Sequence, residues 1–190
     1  MPAKSTDTKQ EILSIARDLL KKVGYNAFSY SDISKQLNIK NAAVHYHYPT
    51  KEDLLADIVN TYIEDYKQLE SGLAHSTLPA IDKVSVFADR YAHLIDLQSI
   101  CIIGSVASDF YTLPEAVKDR VILLTNLVLG MVANVLEKGR TNGELFFAED
   151  ARTKALLIMT NLAAGVQLAR ITGKKDFESI RTALIAQLKK

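Results

Sequence analysis

The sequence contains no tryptophan, one cysteine, four prolines and eight glycines in 190 residues. Each shortage removes a class of protein. A single thiol, Cys101, forbids an intramolecular disulfide, which suits an expected cytoplasmic setting. So few Pro and Gly residues, with no sustained apolar–polar alternation, argue against a sandwich or barrel of short strands. The polar opening, Met1 to Asp7, has no signal-peptide core. The longest apolar stretches, 121–135 and 155–166, are interrupted by Thr and Asn. They fall short of the roughly 18 uninterrupted apolar residues of a membrane span, so no membrane is expected. There is no glycine-rich phosphate loop and no motif that positions a nucleophile. His45 and His47 are two apart and would diverge on a helix, while His75 and His93 lack Cys or carboxylate partners at ligand spacing. No metal, cofactor or enzymatic activity is expected.

What is present points to helices. Hydrophobic residues make up 48% of the chain, enough for a core, and Leu, Ile, Ala, Lys and Glu dominate. The net charge is only +1. Its distribution is uneven: residues 1–51 hold eight Lys/Arg against four Asp/Glu, and the remainder holds 15 against 18. A basic front on a mildly acidic body suits a nucleic-acid-reading head, although an ordinary surface fluctuation would look the same.

The richest stretch is Ser29 to Leu55. Ser29 and Asp32 form an S-x-x-D capping pair that opens a short helix. Ile33 and Leu37 give it one apolar face, and the small Ser34 lets a second helix cross closely. Asn38 falls where the chain must turn, and Asn tolerates the left-handed conformation. A second short helix carries Ile39 and Val44 back to the core and stops before Pro49. Thr50 then caps a third helix, with Asp53 three residues on. This is a helix-turn-helix pattern, in which the second helix lies in the major groove of DNA. The residues expected to face the groove are Lys40, Asn41, Ala42, Ala43, His45 and Tyr46. Lys51, at a helix N-terminus, is a candidate phosphate clamp with Tyr46 and His47. A solvated Lys51 and a core Tyr46 are the plainer alternatives.

These residues carry a resemblance. Thr8–Leu13, Gly24-Tyr25 and the run His45-Tyr46-His47-Tyr48-Pro49-Thr50-Lys51-Glu52-Asp53-Leu54 resemble the DNA-binding domain of the TetR family of bacterial transcriptional repressors. Asn38 stands where the family usually has Gly, Lys40 where it usually has a Ser cap, and His45 where Tyr is common. The resemblance implies an all-α fold, with a three-helix head at 1–52 and a six-helix ligand-binding and dimerisation body at 53–190. It implies Ser29, Lys40, Asn41, Ala42, Ala43, His45, Tyr46, His47 and Lys51 as the DNA-binding set.

Along the rest of the chain, helices are expected at Thr8–Val23, opened by a Thr8–Glu11 capping box, and at Thr50–Ser71, Leu78–Leu97, Cys101–Tyr111, Pro114 to about Arg140, Ala151–Thr172 and Asp176–Leu188. Ala163, Ala164, Gly165 and Ala169 would let another helix approach closely. The resemblance implies that the last two helices, within residues 151–188, form a homodimer interface. Internal packing would use the same residues. The segments Ser99–Val121, Glu137–Gly143 and Leu162–Gly173 resemble a TetR subgroup whose cysteine senses electrophiles or oxidants. On that basis Cys101, Ile102, Phe110, Tyr111 and Leu127 would line an effector pocket, with Arg170 near the thiol. A small buried hydrophobe is the other reading of Cys101.

The function expected is therefore a ligand-responsive regulator that binds double-stranded DNA as a homodimer. It would most simply be a repressor released from a pseudo-palindromic operator by a small molecule or electrophile. The rival is a helical protein-interaction module without DNA binding.

Overall fold

The computed structural model describes residues 3–189 and contains nine α-helices and no strand among them. The order is α1 (Ala3–Val23), α2 (Tyr30–Leu37), α3 (Asn41–His47), α4 (Lys51–His75), α5 (Ala80–Asp96), α6 (Ile102–Ala107), α7 (Glu115–Thr141), α8 (Ala151–Thr172) and α9 (Lys174–Ala186). The all-α expectation holds.

Two local expectations change. α1 begins at Ala3, so Thr8 lies inside it and the Thr8–Glu11 pair does not open the helix. Nothing between Ala3 and Thr8 breaks a helix, and the longer segment wins over the local capping pattern. Val23, the last residue of α1, is apolar yet 53% exposed. The helix expected over 101–111 is only six residues long and starts after Cys101. A separate 3₁₀ turn follows at Phe110–Thr112, where the Thr112 N–H and hydroxyl both donate to the Asp109 carbonyl at 2.9 and 2.8 Å. Pro114 biases Leu113 to extended geometry, here φ −72° and ψ 148°, so the helix cannot continue.

The chain forms two compact units. The first joins residues 1–64 with 102–124, and the second joins 65–101 with 125–190. In the first, α1 packs on α2, α3 and α6. Its buried side chains include Ile12, Ala16 and Leu20 of α1, Ile33 of α2, Val44 of α3, and Leu54, Leu55 and Ile58 of α4.

In the second unit α8 packs on α9 and α5, and α5 on α9. A Cβ on Gly165 would lie 3.2 Å from the Phe177 ring, so this glycine serves the contact between α8 and α9 within one chain. Gly139 is tighter still: an added Cβ would stand 2.5 Å from Ala80 Cβ and 2.6 Å from Leu145 Cδ1. The Glu144 carboxylate accepts the Ala80 N–H at 2.6 Å, which satisfies an orphan donor at the start of α5. That bond, then the one from Asn142, holds the Glu144 pKa below its ordinary value.

By length and average hydropathy α7 and α8 could each cross a membrane, with 18-residue windows of mean hydropathy 1.6 and 1.3. In α8 the apolar surplus serves two faces. Ile158, Leu162, Gly165, Val166 and Ala169 are buried within the chain, while Leu157, Leu168 and Ile171 are exposed.

Candidate nucleic-acid interface

The geometry of α2 and α3 is set by short-range chemistry. The Ser29 N–H and hydroxyl both donate to the Asp32 carboxylate at 2.7 Å. The side-chain bond and then the backbone bond lower the Asp32 pKa. α2 closes on Asn38 in the left-handed region, φ 53° and ψ 43°. The Asn38 N–H donates to the Lys35 carbonyl at 3.3 Å and the Ile39 N–H to the Ser34 carbonyl at 3.0 Å, so the helix end is satisfied. Ser34 is buried at the contact between α2 and α3, as its small size anticipates.

α3 has one anchor, Val44, with 0% exposure. Around it Lys40, Asn41, Ala42 and His45 are exposed, Ala43 and His47 are half-buried, and Tyr46 is 80% exposed. Tyr46 is thus a surface residue, not a core aromatic. Its ring stands edge-on to His47 at 5.1 Å, and His45 stands edge-on to Tyr30 at 4.6 Å. Tyr30 fixes the far end of the helix, because its hydroxyl donates to the Tyr48 carbonyl at 2.9 Å. Burial, reinforced by Asp53, raises the Tyr30 phenol pKa well above its ordinary value and keeps it a donor. Tyr48 in turn donates to Asp57 at 3.2 Å, and Lys9 pairs with the same carboxylate at 3.0 Å.

α4 opens with a reciprocal cap. The Thr50 N–H and hydroxyl donate to Asp53 at 3.1 and 2.7 Å, and the Asp53 N–H donates back to Thr50 Oγ1 at 3.1 Å. The Thr50 and Asp53 amides at the start of α4 are therefore occupied. Lys51 also turns inward. Its ammonium donates to the Tyr25 and Phe28 carbonyls, each at 2.5 Å.

A chain with this helix order, an Asn-closed turn and a polar α3 face has close structural relatives. A transcriptional regulator of the TetR family from Agrobacterium tumefaciens superposes with a TM-score of 0.91 at 26% identity, covering 98% of this chain and 100% of that one. A TetR transcriptional regulator from Legionella pneumophila gives 0.84 at 31% identity over 95% and 97% of the two chains. Residues 12–58 match the family of bacterial regulatory proteins, tetR family, and residues 80–184 match the tetracyclin repressor-like C-terminal domain. The chain belongs to the TetR family. The HTH-type transcriptional regulator QacR of Staphylococcus aureus is 39% identical over 62 residues, which span 33% of this chain and 32% of QacR. That similarity therefore covers about a third of the curated relative.

The candidate effector residues of this TetR-family chain are distributed over both units. Ile102, Phe110 and Tyr111 lie in the first, and Cys101, Leu127 and Arg170 in the second. Ile102 is buried, Cys101, Phe110 and Leu127 are half-buried, and Tyr111 and Arg170 are exposed. Within the second unit, burial and then the charge of Cys101 raise the Tyr91 phenol. Burial also raises Tyr66, against the opposing charge of Arg90, whose guanidinium lies 4.9 Å from the Tyr66 ring centroid.

Sequence reasoning missed a cleft of about 170 Å³ in the second unit. It lies between the last turns of α4, the first turn of α5 and the last turns of α7, with Leu73, Leu78 and Met131 as apolar walls and Lys83, Asn134 and Lys138 as polar ones. Its residues come from three separate stretches and read singly as ordinary helix surface, so no local signal marks them.

Proposed function

We propose that the protein is a ligand-responsive transcriptional repressor that binds operator DNA as a homodimer. The observation that carries this reading is α3, a helix fixed at both ends that turns Lys40, Asn41, Ala42, His45 and Tyr46 to solvent around a single buried valine. Such a face fits the major groove, and two copies related by a two-fold axis fit successive grooves of a pseudo-palindromic site. Ser29, at the start of α2, and His47, at the end of α3, are the candidate backbone contacts. The repressor direction rests on the tetracyclin repressor-like description of the matched C-terminal domain. The localisation that goes with this role is cytoplasmic.

The test is binding to a pool of genomic DNA fragments, followed over a range of salt. A reader of duplex DNA selects a fragment and loses affinity steeply as salt rises, because each neutralised phosphate releases counterions. A flat salt response with no selected fragment leaves the helical interaction module as the better account.

The effector is proposed to be a small molecule or electrophile, with Cys101 as the reactive group. The support is its half-buried place, its electrostatic influence on the buried Tyr66 and Tyr91, and the family's C-terminal domain. An alkylating agent should release the wild type from the selected fragment and leave Cys101→Ser bound. Equal release of both would make Cys101 a packing residue and the effector a reversible ligand.

A further inference from the structure

The loop between α1 and α2, residues 24–29, packs into the first unit through side chains that lie outside the DNA-binding set. It begins at Gly24, with φ +89°, and its side chains Tyr25 and Phe28 are buried. A loop that enters a core brings backbone carbonyls with it, and each needs a donor. Here the donor for two of them is one side chain. The Lys51 ammonium reaches both the Tyr25 and Phe28 carbonyls. It also stands 4.6 and 4.2 Å from the ring centroids of the same two residues. Two carbonyl dipoles and two ring faces thus surround one cation, an arrangement that suits ammonium. Burial lowers the Lys51 pKa, and the charges of Asp109, Glu52 and Asp32 oppose that shift in part.

The position of this cation in the chain gives it leverage. Lys51 is the first residue of α4, three residues after Tyr48, whose carbonyl accepts the Tyr30 hydroxyl. The loop, the start of α2 and the start of α4 are therefore tied in one knot, and α3 hangs from it at its C-terminal end. The loop has a second brace from the segment between α6 and α7, where Asp109 accepts from the Asn26 amide at 2.7 Å.

We infer that Lys51 is a positioning residue that sets the stance of α3, and that its ammonium is not a phosphate ligand. This rests on the DNA-binding reading above. Two of the three ammonium donors are already given to carbonyls and the cation faces both rings, so a phosphate would have to compete with partners already in place.

Two measurements test it, the first on the unaltered full chain. With lysine labelled in its side chain, the Lys51 ε-methylene signals should be shifted upfield by the flanking rings in the free protein. They should stay there when the selected DNA fragment is added. Absence of the shift in the free protein, or its loss on binding, overturns the inference. The second compares Lys51→Met with the wild type across salt, after circular dichroism shows the variant folded. Affinity should fall by about tenfold or more at every salt concentration, with the salt slope unchanged. A lost phosphate contact would instead flatten the slope by about 0.9, and unchanged affinity would reduce Lys51 to a stabilising role. Either outcome overturns the inference. If the wild type selects no DNA while the ring-shifted signals are present, the functional reading fails and the cage remains.

Discussion

Leu168→Glu should leave the protein monomeric at micromolar concentration and lower its affinity for operator DNA by about 100-fold or more. On α8 the exposed positions Leu157, Asn161, Ala164, Leu168 and Ile171 recur at alternating intervals of four and three residues, the spacing of a seam between paired helices. Leu157 is 42% exposed, Leu168 52% and Ile171 86% in the single chain. The opposite side of the helix is already used, since Gly165 meets Phe177 of α9. On α9 the exposed residues Ser179, Thr182, Ala183 and Ala186 are small and let a partner helix come near. Burying a leucine contributes about 1.5–3 kcal/mol. A two-fold interface counts each such residue twice, and a glutamate there meets its own copy or is buried unpaired. A single head then contacts only half of the operator. Sedimentation gives the mass and a titration gives the affinity. A variant that stays dimeric, or a monomer that binds as tightly as the wild type, would remove α8 from the interface.

The second large effect is expected on α3. Asn41→Ala and Tyr46→Ala should each weaken the selected operator by about 1–3 kcal/mol, the usual worth of a contact to a base edge. Binding to unrelated DNA should change little, because that binding is carried by phosphates. Lys40→Ala should give a different pattern, reducing affinity for all sequences alike and lowering the salt slope by about 0.9 as one cationic contact is lost. Side-by-side titrations of the three variants on operator and random duplex separate the roles. If Asn41→Ala and Tyr46→Ala lose both kinds of DNA equally, α3 is not reading bases.

The sequence made some of this site plain and hid the rest, according to the range of the interactions. The Ser29–Asp32 and Thr50–Asp53 caps join residues three apart, and the left-handed turn at Asn38 depends on one residue and its neighbours. Such features are written locally. Val44 as the anchor of α3 follows from periodicity over a few residues. The direction of Lys51 does not. A lysine in the first turn of a helix reads as a solvated charge or an anion clamp. What captures it are carbonyls 23 and 26 positions upstream. The small residues of α8 were ambiguous for a related reason. Ala164 is exposed while Gly165 and Ala169 are buried, and adjacent residues of the same size serve different surfaces once the helix is placed against α9. The extent of α6 was misjudged because Phe110 and Tyr111 continue an apolar pattern. Pro114, three residues past Tyr111, holds Leu113 extended and ends the segment after a 3₁₀ turn.

The unpartnered flank of α8 also bears on how much of the protein a cell needs. If operator binding requires two chains, the amount of active species in the dilute limit follows the square of the subunit concentration. Halving synthesis then lowers the dimer by about fourfold. With α8 as the seam proposed above, newly made subunits would present Leu157, Leu168 and Ile171 to water until a second copy arrived. Scarcity would therefore bring thermal instability as well as lost occupancy. Gene dosage would act as a threshold on the regulated promoter, independent of any effector.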